Sequence, residues 1–403
     1  MQNLATSKYS KMLCLLLVFL FLFNIDIFGQ GRRRRDRENF RNRQKKEKLK
    51  KEIFTKLETL PPAFVFQWQF ASRNTTKLPV LVEPESVYLP LDDGRIVSLE
   101  ASSGQLRWET QPGGKIVSPL IATEENIYIS SRPNSSDSNE GILRVINKRT
   151  GLTAWTKNFP QAFSNPLVLE EQTIYAASED NKFYSLDISG NTNWQVDLGS
   201  LAKAKPLFAD DEIFIGTEAG LMHSLSSETG EVFWRFQAQS ALRGTATVNE
   251  NQVFFGDSLG NVYALERDTG KLLWQVRVGA AVETAPQLTD KFLIVSCFDN
   301  FVYGFNAKNG DTAWKVRLTG RLTFDPILNN QQMLVTPLGS DKIFLLATNG
   351  KPLGQYKIDN TNVIIAAPTL EAENLFLVTD EGLVAARAQE LVPIKEEKKK
   401  NKN

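Results

Sequence analysis

Ala264-Leu265-Glu266-Arg267-Asp268-Thr269-Gly270-Lys271-Leu272-Leu273-Trp274 decides the fold of this 403-residue chain. A short alternating strand, Asn261-Val262-Tyr263-Ala264-Leu265, runs into a polar turn, a Gly closes the turn, and a Trp stands four residues further on. The arrangement returns along the sequence. All seven tryptophans, Trp68, Trp108, Trp155, Trp194, Trp234, Trp274 and Trp314, are spaced 40, 47, 39, 40, 40 and 40 residues apart. Six follow a Gly by four residues (Gly104, Gly151, Gly190, Gly230, Gly270, Gly310), and Gly350 has Gly354 where the next Trp would stand. Tryptophans scattered through an ordinary core keep no such period, so the chain is built of repeats of about 40 residues.

Each repeat holds several short alternating runs, such as Val253-Phe254-Phe255 or Ile213-Phe214-Ile215, separated by turn pairs such as Asp93-Gly94, Asp180-Asn181 and Leu259-Gly260. Turn signals about every ten residues predict four strands per repeat and an all-β array. A Pro opens nearly every repeat, at 79, 119, 166, 206, 286, 326 and 368, with Ala246 in the remaining place. That makes eight starts. The repeat from Pro368 lacks a Gly-x-x-x-Trp strand, whereas Phe64–Phe70 carries Trp68 with no repeat before it. The predicted fold is therefore an eight-bladed β-propeller whose last blade is completed by the N-terminal strand, which removes open sheet edges. Within it, Gly serves the turn and Trp packs between blades with its indole N–H on a backbone carbonyl. The 47-residue interval marks an insertion, Arg132 to Gly141, expected as a loop between two hairpin strands of blade two.

Composition narrows the chemistry. One His and two Cys, Cys14 and Cys297, exclude His-metal clusters, paired His bases and a disulfide framework. His223 is expected as a packing or surface residue, and turn carboxylates such as Asp92, Asp180, Asp257 and Asp299 as solubilising groups. No catalytic or metal-ligating set and no cofactor is expected. The net charge of +1 conceals an uneven distribution. Arg32–Lys56 holds 13 basic and 4 acidic residues, the tail from Lys395 carries +3, the leader to Gly31 carries +1, and 57–394 is left at −12. An acidic body of this kind is not expected to bind nucleic acid.

Lys8 and Lys11 precede an apolar run of twelve residues, Met12–Phe23, that suits a signal peptide better than a membrane span. The expected organisation is a signal or anchor segment over 1–31, a basic arm over 32–62, the propeller over 63–390 and a basic tail over 391–403. Export to the periplasm or the membrane-associated envelope is favoured. The Arg32–Arg35 cluster supports the alternative of an uncleaved anchor with a cytoplasmic propeller, by the positive-inside rule. The arm can be a docking element for an anionic membrane or cell-wall surface, or a solvated spacer.

The string quoted above, with weaker copies in blades one to four and six, resembles the Trp-docking repeat of quinoprotein-type propellers over roughly residues 64–390. Two branches of that group matter. Pyrroloquinoline quinone dehydrogenases carry adjacent cysteines and a calcium cluster, neither of which is recognisable here. The BamB branch, non-enzymatic accessory proteins of outer-membrane β-barrel assembly, fits length and blade number better. The resemblance implies an assembly partner bound through loops before two neighbouring blades, with a Leu-Arg-Gly in one and an acidic pair in the next. Ala241-Leu242-Arg243-Gly244 matches the first; Ala281-Val282-Glu283-Thr284 matches the second in Glu283 only. The lipid-attachment Cys is also missing, since Cys14 lies inside the apolar run. The expected partner-binding residues are Leu242, Arg243 and Glu283, as an exposed Leu-Arg beside a carboxylate. The alternative is that Lys203, Arg243 and Glu283, each three residues before a blade start, pair with one another. A quinone-dependent enzyme and a ligand-sensing or adhesive surface propeller are the competing functions.

Overall fold

Thirty-three strands and no helix occupy the described residues of the computed structural model, 60–389 apart from 135–139, 164, 330 and 359–361. The chain divides into two units, Met1–Leu60 and Pro61–Asn403. The expected signal segment, the arm up to residue 59 and the tail from 390 lie outside the described residues. Among those described, no helix is long and apolar enough to cross a membrane.

The strands form eight separate antiparallel sheets, the blades of a propeller. Blade five is representative: strand a, Thr247–Val248; b, Gln252–Gly256; c, Asn261–Glu266; d, Leu272–Arg277. The a strands of neighbouring blades touch where Ile121–Ala122 meets Val168–Glu170, Thr247–Val248 meets Gln287–Leu288 and Leu81–Val82 meets Thr369–Glu371. Strands b and c are buried on both sides, Val253–Phe255 and Val262–Leu265 being 0–1% exposed, so their continuous apolar character follows from sandwiching between two blades. In blade two the insertion lengthens strand b, Asn126–Arg132, and its extra residues Ser131 and Arg132 pair with an additional short strand, Lys115–Ile116. The last blade is assembled as expected, Phe64–Ala71 serving as strand d beside Gly382–Ala388, Asn374–Thr379 and Thr369–Glu371.

The repeat motif acts between blades. A register shift in strand d, at Ala264/Leu265 opposite Trp274 and Leu272, skips Leu273 and recurs in every blade. Such a bulge re-aims the following side chain, and the Trp turns onto the next blade. A Cβ on Gly270 would lie 2.6 Å from the Trp234 ring, and the same close approach joins Trp68 to Gly104, Trp108 to Gly151, Trp155 to Gly190, Trp194 to Gly230, Trp274 to Gly310 and Trp314 to Gly350. The Gly at this position also holds a positive φ, +68° at Gly270, so both space and backbone demand it. Five indole N–H groups donate to the carbonyl three residues before that Gly: Trp68 to Ala101, Trp108 to Lys148, Trp194 to Ser227, Trp234 to Arg267 and Trp274 to Ala307. The core accordingly lies between blades, as in the cluster of Phe254, Val262, Trp274, Leu293, Val295 and Phe305.

Candidate functional site

The loops that join one blade's strand d to the next blade's strand a, together with the b–c turns, form one face of the propeller. A recurrent hydrogen bond ties them together. The second residue of the turn donates its N–H to the loop carbonyl five residues before the blade start: Glu218 to Leu201, Ser258 to Ala241, Phe298 to Ala281 and Leu338 to Arg321, at 2.8–3.0 Å. Turn and loop side chains are thereby placed side by side.

Arg243 stands at the centre of a charged cluster on this face. Its Nε and Nη2 donate to the two oxygens of Glu218, at 2.8 and 2.9 Å, and Nη1 donates to Glu283 Oε1 at 3.0 Å. Ser258 Oγ lies 2.7 Å from the same Glu283 oxygen, and Lys203 Nζ lies 3.6 Å from Glu218. The guanidinium beside Glu218 holds that carboxyl below its ordinary range, against the opposing effect of burial. Both carboxylates hold Arg243 above its ordinary value, Glu218 most strongly. The side chain of Arg243 is 40% exposed, against 22% and 19% for Glu218 and Glu283. Three blades thus contribute to one charged cluster, in which the cations Arg243 and Lys203 are more exposed than the carboxylates.

The three residues of the Leu-Arg-Gly have different jobs. Leu242 is 0% exposed and packs with Phe214, Met222, Val253 and Phe255; a Cβ on Gly216 would lie 2.6 Å from it. The expectation of a presented Leu-Arg is therefore corrected: only Arg243 reaches solvent. The reason is periodic. Ala202, Leu242, Val282 and Leu322 occupy the same repeat position, 40 residues apart, and all are buried at 0–2%. That period is legible in the sequence and marks Leu242 as a plug between blades. Gly244 lets the loop approach its neighbour, since a Cβ there would lie 2.7 Å from the Thr284 carbonyl. This contact brings Arg243 and Glu283 together.

Sequence reasoning placed Arg243 and Glu283 side by side and missed Glu218, the stronger partner. Glu218 lies 25 residues upstream in the b–c turn of blade four, and its only signal is that blade's place in the ring. Three of the four turn carboxylates are structural rather than solubilising. Asp257 is fully buried and accepts from the Leu259 and Asn261 N–H groups and the Tyr263 hydroxyl, at 2.8–3.0 Å. Burial pushes that hydroxyl up to about 12. Asp180 and Asp299 accept from Tyr184 and Tyr303 in the same way; Asp92 alone of the four is exposed at its tip and faces Lys115. His223 is a packing residue, 1% exposed, whose Nδ1 accepts from Arg235 Nε at 3.3 Å. Cys297 is buried, its thiol donating to the Ala280 carbonyl at 3.3 Å and pushed up to about 12 by burial. Among the described residues, no three His, Cys, Asp or Glu side chains stand close enough to hold a metal ion.

Repeat geometry, Trp–Gly docking and blade count define an eight-bladed β-propeller of the quinoprotein type, with a charged cluster on its loop face. Within that class the sequence matches the family described as outer membrane protein assembly factor BamB, over residues 66–156, 138–245 and 219–398, and the chain belongs to that family. Similar curated proteins include the outer membrane protein assembly factor BamB of Legionella pneumophila strain Paris, 25% identical over 165 residues, which are 40% of this chain and 42% of that protein. Its counterpart in Moranella endobia strain PCIT is 24% identical over 136 residues, 30% of this chain and 33% of that protein. The matched stretches thus span less than half of either relative. Among solved structures, BamB from Moraxella catarrhalis superposes with a TM-score of 0.65 at 18% identity, covering 80% of this chain and 98% of that one. The computationally designed Ika8 protein gives 0.67 at 16% identity, covering 81% and 100%. At these identities the two structures speak for the fold.

Proposed function

We propose that the protein is a non-enzymatic scaffold of the cell envelope that assists assembly of outer-membrane β-barrel proteins, binding the β-barrel assembly machinery through its loop face. The observation that carries this reading is Arg243, in the loop that matches the family's Leu-Arg-Gly, held between Glu218 and Glu283 and more exposed than either. Arg243 and Glu283 are the contact residues, and Leu242 supports them from beneath. A pre-ordered guanidinium presents little rotamer freedom for a partner to freeze, which favours a binding role over a merely stabilising one. The domain plan completes the proposal: an export segment over 1–31, a basic arm over 32–62 that holds the propeller (63–390) near an anionic membrane or cell-wall surface, and a basic tail over 391–403.

The test is affinity capture from detergent-solubilised envelope with the full chain, Arg243→Ala and Glu283→Lys as baits. Recovery of the assembly machinery by wild type, and its loss with both variants, is expected. No recovery, or equal recovery by all three, refutes the proposal. Deleting Arg32–Lys56 is expected to abolish salt-sensitive binding to anionic vesicles while leaving that recovery in detergent unchanged.

A further inference from the structure

The charged cluster covers only part of the loop face. At the second position of the b–c turn stand Asp92 in blade one, Glu179 in three, Glu218 in four and Asp380 in eight, each donating its N–H to the adjoining loop. Blades five, six and seven break this acidic pattern with Ser258, Phe298 and Leu338. Leu259, next to Ser258, is 48% exposed and Leu338 44%, while Phe298 is half-buried. Arg321, exposed in the loop entering blade seven, lays its guanidinium 5.6 Å from the centre of the Phe298 ring. Its carbonyl accepts the Leu338 N–H at 2.9 Å. Arg243 and Arg321 differ sharply. Arg243 is filled by two carboxylates, whereas among the described residues no carboxylate pairs with Arg321. This arc is continuous with the cluster, because Ser258 bonds Glu283 and the Phe298 N–H donates to Ala281, in the loop that carries Glu283.

We propose that Leu259, Phe298, Arg321 and Leu338 form a second docking surface for an extended polypeptide segment of the partner, one that sets a carboxylate on Arg321 and apolar side chains on Leu259 and Leu338. The proposal rests on the reading of the loop face as the docking face and extends it across blades five to seven. Charge complementarity names the anionic group: an Arg fork stacked on an aromatic ring is oriented, and a carboxylate matches it in two hydrogen bonds. The apolar side chains come one to a blade, so the occupant runs across blades rather than filling a pocket. Alternation in a strand puts every second side chain on the propeller. An exposed Arg lying on an aromatic ring is the composition of an interface centre rather than of a rim.

Fluorescence anisotropy tests this with full-length protein and two labelled ten-residue peptides, one alternating Leu and Glu, the other Leu and Lys. The Leu/Glu peptide is expected to bind, about tenfold more weakly to Arg321→Glu and to Phe298→Ala, with an intermediate loss for Arg321→Lys. Arg321→Glu is expected to prefer the Leu/Lys peptide. Arg321 is exposed, so its variants keep the fold, which circular dichroism checks. Equal binding of both peptides, or no change in the Arg321 variants, overturns the proposal. So does binding to phosphatidylglycerol vesicles that Arg321→Glu abolishes, since the surface would then serve lipid. The envelope capture separates this inference from the one beneath it. Capture that survives Arg321→Glu removes the arc and leaves the assembly role standing. Peptide binding that tracks Arg321 without any capture supports the arc and removes the assembly machinery as partner.

Discussion

Neighbouring residues of one tetrapeptide, Leu242 and Arg243, divide support from recognition, and their substitutions separate the two. Leu242→Ala leaves a cavity between blades four and five and is expected to lower stability by about 2–4 kcal/mol in urea unfolding. Arg243→Ala, an exposed member of a surface cluster, is expected to cost less than about 1 kcal/mol by the same measurement, and to act on partner capture instead. His223 sets a pH dependence. Burial, helped by the Arg235 charge, lowers its pKa to about 4, against about 6.5 in the unfolded chain. The unfolded state therefore binds a proton first as pH falls. The contribution is fully present above about 6.5 and is lost between there and about 4, amounting to about 3 kcal/mol. Wild type is expected to lose urea stability more steeply than His223→Gln over that window; parallel curves would remove His223 as the cause.

At the scale of the element, the length of one turn decides whether a Trp finds its partner. In blade five the Gly270 N–H reaches back four residues to the Glu266 carbonyl, at 2.9 Å, and leaves Arg267 free to accept Trp234 at 2.7 Å. The corresponding turn of blade seven is one residue shorter, so the Gly350 N–H takes the Ala347 carbonyl at 2.8 Å. Among the described residues the buried Trp314 N–H then has no partner. Trp234→Phe is expected to lose about 1 kcal/mol more than Trp314→Phe in thermal or urea unfolding, because only the former gives up a hydrogen bond. Ala347-Thr348-Asn349-Gly350 beside Glu266-Arg267-Asp268-Thr269-Gly270 makes the missing residue visible in the sequence, but the orphaned donor belongs to the neighbouring blade.

At the scale of the whole molecule, seven Trp–Gly contacts among the described residues join eight blades, and the remaining seam lies where the chain closes. Gly354 replaces the Trp of blade seven, and the turn that would receive it is absent from blade eight, which takes its strand d from Phe64–Ala71. The entering chain seals that seam with backbone instead. Ala63 N–H donates to the Gln355 carbonyl at 2.7 Å and Gln355 N–H to the Pro61 carbonyl at 3.0 Å. Two such bonds replace a large buried ring, so this junction is expected to open first. In hydrogen exchange, peptides covering Pro61–Phe70 and Pro352–Lys357 should lose protection before the strands around Trp234 and Trp274; uniform protection of all eight junctions would contradict this.

Period and position were written in the sequence. The spacing of Trp, Gly and Pro determined the blade count, the composite eighth blade and the location of the loop that carries Arg243, because repeats impose the same local geometry wherever they recur. Side-chain destiny on the loop face was decided by tertiary structure. Whether Leu242 is presented or buried, and which carboxylate fills Arg243, depends on how three blades converge around one loop. Glu218 and Arg243 are 25 residues apart and adjacent only once the ring closes. The same convergence lays Arg321 on Phe298 with no carboxylate paired to it among the described residues, a difference between two arginines that a linear string of residues does not contain.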